Sequence, residues 1–257
     1  MERSEYQFLE SQENKHWWFV GRRIILNKML KKLVGQKSAN ENDEKLQILE
    51  IGCGTGGNLE MLSKYGDVHA IEMDENAYNI AKGKNLASDI KMGYLPDNTG
   101  LEENQFDLIV MFDVLEHIDE DIESLKSLNK FLKTEGNIFI TVPAFKFLWS
   151  KHDEIAHHKR RYIKKELIDS LKQAGFEVKY ISYFNFWLFP LAAIVRTIYK
   201  SFSGSKNINE DGNTPGQKKP IGFINKTLTL IFASEKYFIG KISFPFGLSL
   251  MATANKR

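Results

Sequence analysis

The chain of 257 residues holds a single cysteine, Cys53, and no apolar run long enough to cross a bilayer. A lone thiol excludes an internal disulfide and a cysteine-built zinc site. The longest apolar run, "YFNFWLFPLAAIV" at residues 183 to 195, is interrupted by Asn185 and Pro190 and falls short of the roughly 20 residues of a spanning helix. The opening "MERSEYQFLESQENK" lacks the apolar core of a secretory signal, which makes the cytoplasm the expected compartment. Charge of one sign is also missing. With 35 basic and 33 acidic side chains the formal net charge is +2, too balanced for a general binder of nucleic acid, and a membrane partner is not favoured.

What remains, 42% hydrophobic and 26% charged residues, suits one large α/β domain with additions. Residues 2 to 35 show apolar positions at helical spacing, including Phe19, Ile24, Ile25, Met29, Leu30 and Leu33, so residues 1–40 are read as a helical cap. From residue 46 short apolar runs alternate with amphipathic stretches, the pattern of a parallel sheet covered by helices. Strands are expected near 46–51, 67–72, 89–92, 106–112, 136–142 and 177–183, and a seventh over 246–256. Helices are expected near 56–65, 74–85, 119–133 and 164–174. The domain 41–257 thus carries a helical insertion, 185–243, whose polar middle, 203–220, is expected to be mobile.

"ILEIGCGTGG", residues 48–57, places Gly52, Gly54, Gly56 and Gly57 directly after an apolar run, with Glu50 two residues ahead of the first glycine. Glycines after a strand let a ligand approach bare backbone. Gly52, Gly54 and Gly57 fit the spacing of a dinucleotide site, and Glu72 follows Gly52 by 20 residues, where a carboxylate can hold ribose hydroxyls. Two ligands therefore stay open: the dinucleotide of an NAD(P)-dependent oxidoreductase, and S-adenosylmethionine. Glu50 favours the second, because a carboxylate suits an ammonium and a sulfonium better than a pyrophosphate that is already negative. A binding protein without catalysis is a third reading.

Glu50, Gly52, Gly54 and Gly56, with Glu72 closing the second strand, resemble the E-x-G-x-G-x-G pattern of class I S-adenosylmethionine-dependent methyltransferases. "FDLIVMFDVLEHIDE" (106–120) and "LNKFLKTEGNIFITVP" (128–143) are similar to their fourth strand with its loop and to the following helix and fifth strand, although Thr134, Glu135 and Gly136 replace a common proline-glycine-glycine turn. The resemblance implies a doubly wound seven-stranded sheet of order 3-2-1-4-5-7-6 with strand 7 antiparallel. "HWWFVGRR" (16–23) and "LWSKHDEIAHHKRRY" (148–162) further resemble a narrower bacterial group. The resemblance places near the cofactor the loop Gly52, Cys53, Gly54 and Gly56, then Met73 beside Glu72, Tyr94 after the third strand, and Asp113 with Val114 after the fourth. Asp74 is expected to cap the next helix.

Adjacent tryptophans on a helix point about 100° apart, so Trp17 and Trp18 cannot share one narrow stripe. Trp18 is read as a lid over the sulfonium, and Arg23, or its neighbour Arg22, as the partner of the cofactor carboxylate. His117 admits two readings, a general base or a structural histidine. The cluster His152, His157, His158, Arg160, Arg161 and Tyr162 meets no recognised metal spacing, and no metal is expected. Arginine forks match carboxylate geometry, so the cluster is read as the acceptor site for an anionic small molecule or peptide C-terminus, methylated on oxygen. The alternative acceptor is a lipid or lipid-linked saccharide held by the run 183–195.

Overall fold

The computed structural model describes residues 6, 10–37, 45–194 and 220–256. Seven strands make up its centre: β1 (Leu46–Ile51), β2 (Gly66–Glu72), β3 (Asp89–Met92), β4 (Phe106–Phe112), β5 (Leu132–Pro143), β6 (Phe176–Phe184) and β7 (Ser249–Lys256). They form one sheet in the order β3-β2-β1-β4-β5-β7-β6, with β7 antiparallel to both neighbours, as the resemblance implied. β1 and β4 are buried almost throughout, which is why they read as continuous apolar runs instead of alternating ones.

The register brings four strand ends to one edge. Ile51 stands beside Ile71 and Met111, and Phe112 stands beside Thr141. The chain leaves β1 toward β2 on one side and reaches β4 on the other, so the loops after these strands open a crevice at the point where the strand order reverses.

Helix α1 (Trp17–Lys37) crosses the sheet. Its buried residues Arg22, Ile25, Leu26, Met29, Leu30 and Leu33 repeat at three and four, one helical stripe. No acidic residue stands in its first turn, and its free N-terminal amide is met from far along the chain. The Asn225 side chain accepts from Trp17 N at 2.9 Å and donates to Lys15 O at 2.8 Å. Asn225 lies on a later helix (Gly222–Ala233) that packs against α1.

Between α1 and β7 lie α2 (Leu59–Leu62), α3 (Glu75–Gly83), α4 (Asp121–Phe131), α5 (Lys151–Ile155), α6 (Lys164–Gln173) and, as α7, the helix that carries Asn225. Asp74 caps α3 by accepting from Asn76 N and Ala77 N. The helix expected over 56–65 shrinks to α2, because the glycine turn occupies its first residues. Within the helical insertion expected over 185–243, α7 ends at Ala233 and continues as a 3-10 turn, Ser234–Tyr237. Of the segment expected to be mobile, 203–219 lie outside the described residues.

Gly21 allows α1 and α7 to approach. A Cβ there would stand 2.7 Å from Phe232 Cδ1, and that ring is fully buried and cannot yield. Gly21→Val is therefore expected to cost about 1–3 kcal/mol by overpacking, read as a lower urea midpoint.

Candidate active site

The glycine turn is shaped by left-handed backbone. Gly52, Gly54 and Gly56 have φ of 64°, 55° and 83°. At Gly52 a Cβ would meet Val114 Cγ2 at 2.6 Å, whereas one at Gly54 would meet nothing within 4 Å, so the turn is closed on the protein side and open on the crevice side. Glu72 supports it from below: Oε2 accepts from Gly54 N at 2.7 Å, and Oε1 accepts from Met73 N and Asp74 N, each at 2.9 Å. The remaining lone pairs of this carboxylate can take ribose hydroxyls. Met73 and Tyr94 are 71% and 53% exposed, an apolar surface at the ends of β2 and β3. Cys53 is buried and its thiol is held far above its ordinary pKa by burial, so only its backbone can serve a ligand.

Glu50 is 1% exposed, with one oxygen accepting from Asn58 Nδ2 at 2.8 Å and the other without any partner. Burial pushes its carboxyl up to about 8, against the opposing effects of Asn58 and Arg22. An orphaned buried carboxylate oxygen beside an open glycine turn fits an ammonium.

Arg22, not Arg23, enters this crevice. Its guanidinium pairs with Asp113 at 2.5 Å, lies 3.3 Å from Thr141 Oγ1, and stacks 5.0 Å from the Trp18 ring and 5.6 Å from Phe112. Arg23 points the other way, donating to the Glu13 carbonyl and to Asn14 Oδ1. The expectation that Arg23 faces the cofactor is therefore corrected: of the two arginines, about a third of a helical turn apart, Arg22 is the one on the crevice side. Trp18 reaches the crevice through Arg22, while Trp17 packs against Phe232 with ring centroids 5.9 Å apart. Glu13, on the segment before α1, covers the turn by accepting from Thr55 Oγ1 and pairing with Lys84 at 3.1 Å. No sequence signal marked Glu13.

The cluster after β5 is arranged differently from the expected anion site. Asp153 is fully buried and accepts Arg161 Nε at 2.7 Å and Nη2 at 2.9 Å, together with Ser150 N and Oγ. Although burial opposes it, His158 and Arg161 hold this carboxyl far below its usual range. Arg160 pairs with Asp121 at 2.9 Å and donates to Asp119 O, and Tyr162 donates its hydroxyl to Asp121 at 2.8 Å. Burial and Asp121 raise the Tyr162 hydroxyl far above its ordinary pKa. Both arginine forks and the phenol are committed within the protein, which corrects their reading as acceptor ligands.

The same cluster delivers an imidazole instead. His158 Nδ1 lies 2.9 Å from Asp153 Oδ1, and Lys159 N donates to Glu116 O at 2.7 Å, joining this loop to the 3-10 turn Leu115–His117 after β4. The His117 and His158 rings meet edge to face at 4.7 Å, with His152 at the exposed rim, 6.1 Å from His158. Burial of its inner edge and the neighbouring His158 lower the His117 pKa to about 4. Glu116 is fully buried with neither oxygen partnered, and burial followed by Asp113 raises its carboxyl well above the usual range. Ligand atoms of Glu116, His117 and His158 lie within 4.8 Å of one another, the one group among the described residues that could share a metal ion.

A family model described as a methyltransferase domain matches residues 23–181, more than half of the chain. The chain belongs to this methyltransferase family. Its cofactor is S-adenosylmethionine, which decides between the two ligands that the glycine spacing left open, and the orphaned Glu50 oxygen, the open turn at Gly54 and the strand-end Glu72 fit it. Among curated relatives, the ubiquinone biosynthesis O-methyltransferase of Rickettsia bellii is 30% identical over 121 residues, 46% of this chain and 49% of that protein. Its namesake from Xanthomonas campestris is 25% identical over 154 residues, 53% and 64%. The chain spans less than two thirds of either. In fold it resembles an S-adenosylmethionine-dependent methyltransferase from Thermotoga maritima (18% identity, TM-score 0.57, 98% of this chain and 97% of that one). It also resembles the [4+2]-cyclase SpnF (16%, TM-score 0.53, 89% and 81%), so the fold alone does not fix the reaction.

Three outcomes are expected. Glu50 must ionise to receive an ammonium, so titration of S-adenosylmethionine into the wild type should show affinity falling toward about tenfold per pH unit below 8, and Glu50→Gln should bind weakly without that acid limb. Because the folded pKa lies above the unfolded 4.5, ionised Glu50 destabilises the empty fold as pH rises from 4.5 to about 8, and Glu50→Gln should melt higher than wild type at pH 8.5. Arg161→Ala leaves Asp153 buried without its main cation, and thermal unfolding should report a loss of about 3–5 kcal/mol; an acceptor-binding arginine would instead raise KM and leave the melting temperature alone.

Proposed function

We propose that the protein methylates a hydroxyl oxygen of a small-molecule acceptor, with His158 taking the hydroxyl proton. The observation that carries this reading is the Asp153–His158 pair, 2.9 Å apart, joined to the turn after β4 that borders the crevice. Bound S-adenosylmethionine supplies an electrophilic methyl on a sulfonium, and the transfer is an in-line displacement. The oxygen gains the methyl as the sulfur–carbon bond breaks, the proton passes to the imidazole, and S-adenosylhomocysteine is left.

The chain's own residues divide the work. Glu50, Glu72 and the turn from Gly52 to Gly56 hold the ammonium, ribose and carboxylate ends, while Asp113, Val114 and Arg22 face the reacting end. Asp153 accepts from His158 Nδ1, which leaves Nε2 as the basic nitrogen and stabilises the imidazolium that forms. Arg161 in turn positions Asp153.

An acceptor carboxylate would need no base, but the arginines read as its ligands are already paired, so an alcohol or phenol fits better. The names of the ubiquinone biosynthesis relatives, which are O-methyltransferases, support oxygen as the acceptor atom. A second reading rests on the proximity of Glu116, His117 and His158: a divalent cation held there would acidify the acceptor hydroxyl in place of a free imidazole.

Incubation with methyl-labelled S-adenosylmethionine and a panel of phenols and alcohols should give a labelled ether. His158→Gln should lower kcat by 10²–10⁴ with cofactor affinity unchanged, and EDTA should leave the wild-type rate unaltered. Full activity in His158→Gln would remove the proton-transfer role, and loss in EDTA reversed by added metal would replace it with the cation reading.

A further inference from the structure

Apolar exposure is concentrated on one part of the molecule. Eleven of the seventeen large apolar side chains exposed among the described residues fall between 187 and 242. On α7, Phe223 and Leu230 are 81% and 63% exposed and lie seven residues apart, as do Ile224 and Ile231, so they form one outward stripe. The opposite side of α7 is the one used by Asn225 and Phe232 against α1. Leu191 and Ile194, on the segment after β6, are 63% and 57% exposed. These residues contribute nothing to the crevice described above.

The exposed charge on the described residues of this face has a single sign. Among the described residues from 185 to 248 the one carboxylate is Glu235, which is fully buried and accepts from the backbone N–H groups of Asn185, Phe186 and Trp187. The described cations there are Lys226, Lys236 and Lys241, and none of them forms an ion pair with a described carboxylate. Beside them Lys28, Lys31 and Lys32 of α1 line a hollow of about 370 Å³ together with Ile239 and Lys241. None of the described helices is long and apolar enough to cross a membrane.

We infer that this face docks on an anionic phospholipid surface, with α7 lying in the headgroup plane, its apolar stripe entering the acyl boundary and the lysines meeting lipid phosphates. An amphipathic helix with apolar residues on one side and lysines around them binds in this way, through buried apolar area plus attraction to anionic lipid. A protein partner of ordinary composition would bring cations as well as anions to the contact. A bilayer rich in acidic headgroups offers anions alone, and the exposed charge on the described residues of this face is wholly positive. The inference is independent of the acceptor and of the base, since none of these residues touches the crevice.

The test is flotation of the full-length protein with vesicles of phosphatidylcholine alone and of phosphatidylcholine with 30 mol% phosphatidylglycerol, a composition set on the order of natural anionic membranes. Binding at least tenfold stronger to the anionic vesicles, weakened by 0.5 M salt, is expected. The double variant Phe223→Ser, Leu230→Ser should lose at least tenfold in vesicle binding while its affinity for S-adenosylmethionine is unchanged, which shows that it folds. No binding to either vesicle, equal binding to both, or unaltered binding by the double variant would overturn the inference. So would a wild-type dimer that the double variant abolishes in the absence of lipid, since the stripe would then be a contact between two copies of the chain.

Discussion

Arg22 is a buried cation among carboxylates that would otherwise repel one another at the ends of the strands. It pairs directly with Asp113, and its charge acts on Glu50 and Glu116 as well. Stacking on Trp18 and Phe112 fixes the plane of its guanidinium, and Thr141 lies within reach from β5. One side chain therefore links α1 to β4 and β5 and sets the local potential in which a sulfonium compound can be received. Removing its charge would leave Asp113 without a counter-ion in a crevice that already contains two acids raised above their ordinary pKa.

Much of this fold was legible because its signals are local. β1 and β4 are buried on both faces and appear as apolar runs, the glycine turn follows at once, and Glu72 ends β2 at the distance a strand–turn–helix–strand unit imposes. Asp74 could be assigned as a cap for the same reason, since an N-cap is a matter of a few adjacent residues. Glu50 stood out because its charge lies two residues ahead of the first glycine, at the end of a strand.

The errors lie where a side chain's partner is distant in sequence or where two neighbours compete for one direction. Arg22 and Arg23 are equivalent as letters, and only the way α1 packs turns the first inward. Arg160 and Arg161 offered the right geometry for an anion, but the anions were already present in the protein as Asp121 and Asp153. A cluster of unlike charges is better read first as a set of mutual partners, because a buried arginine without one is costly. His158 was visible as a residue; its orientation by Asp153, five positions earlier, was not.

The arrangement of β7 and Asn225 bears on how the molecule is made. β7 separates β5 from β6, and the amide of Trp17 is satisfied by a residue 208 positions later. During synthesis from the amino terminus, the first helix leaves the ribosome long before its cap exists, and β6 emerges before the strand that joins it to the sheet. The glycine turn can form early, but the arginine-bearing helix above it cannot settle until Asn225 has been made. A chain made only as far as β6 would thus carry an incomplete crevice, and the nascent protein acquires its binding competence only once Asn225 and β7 have emerged.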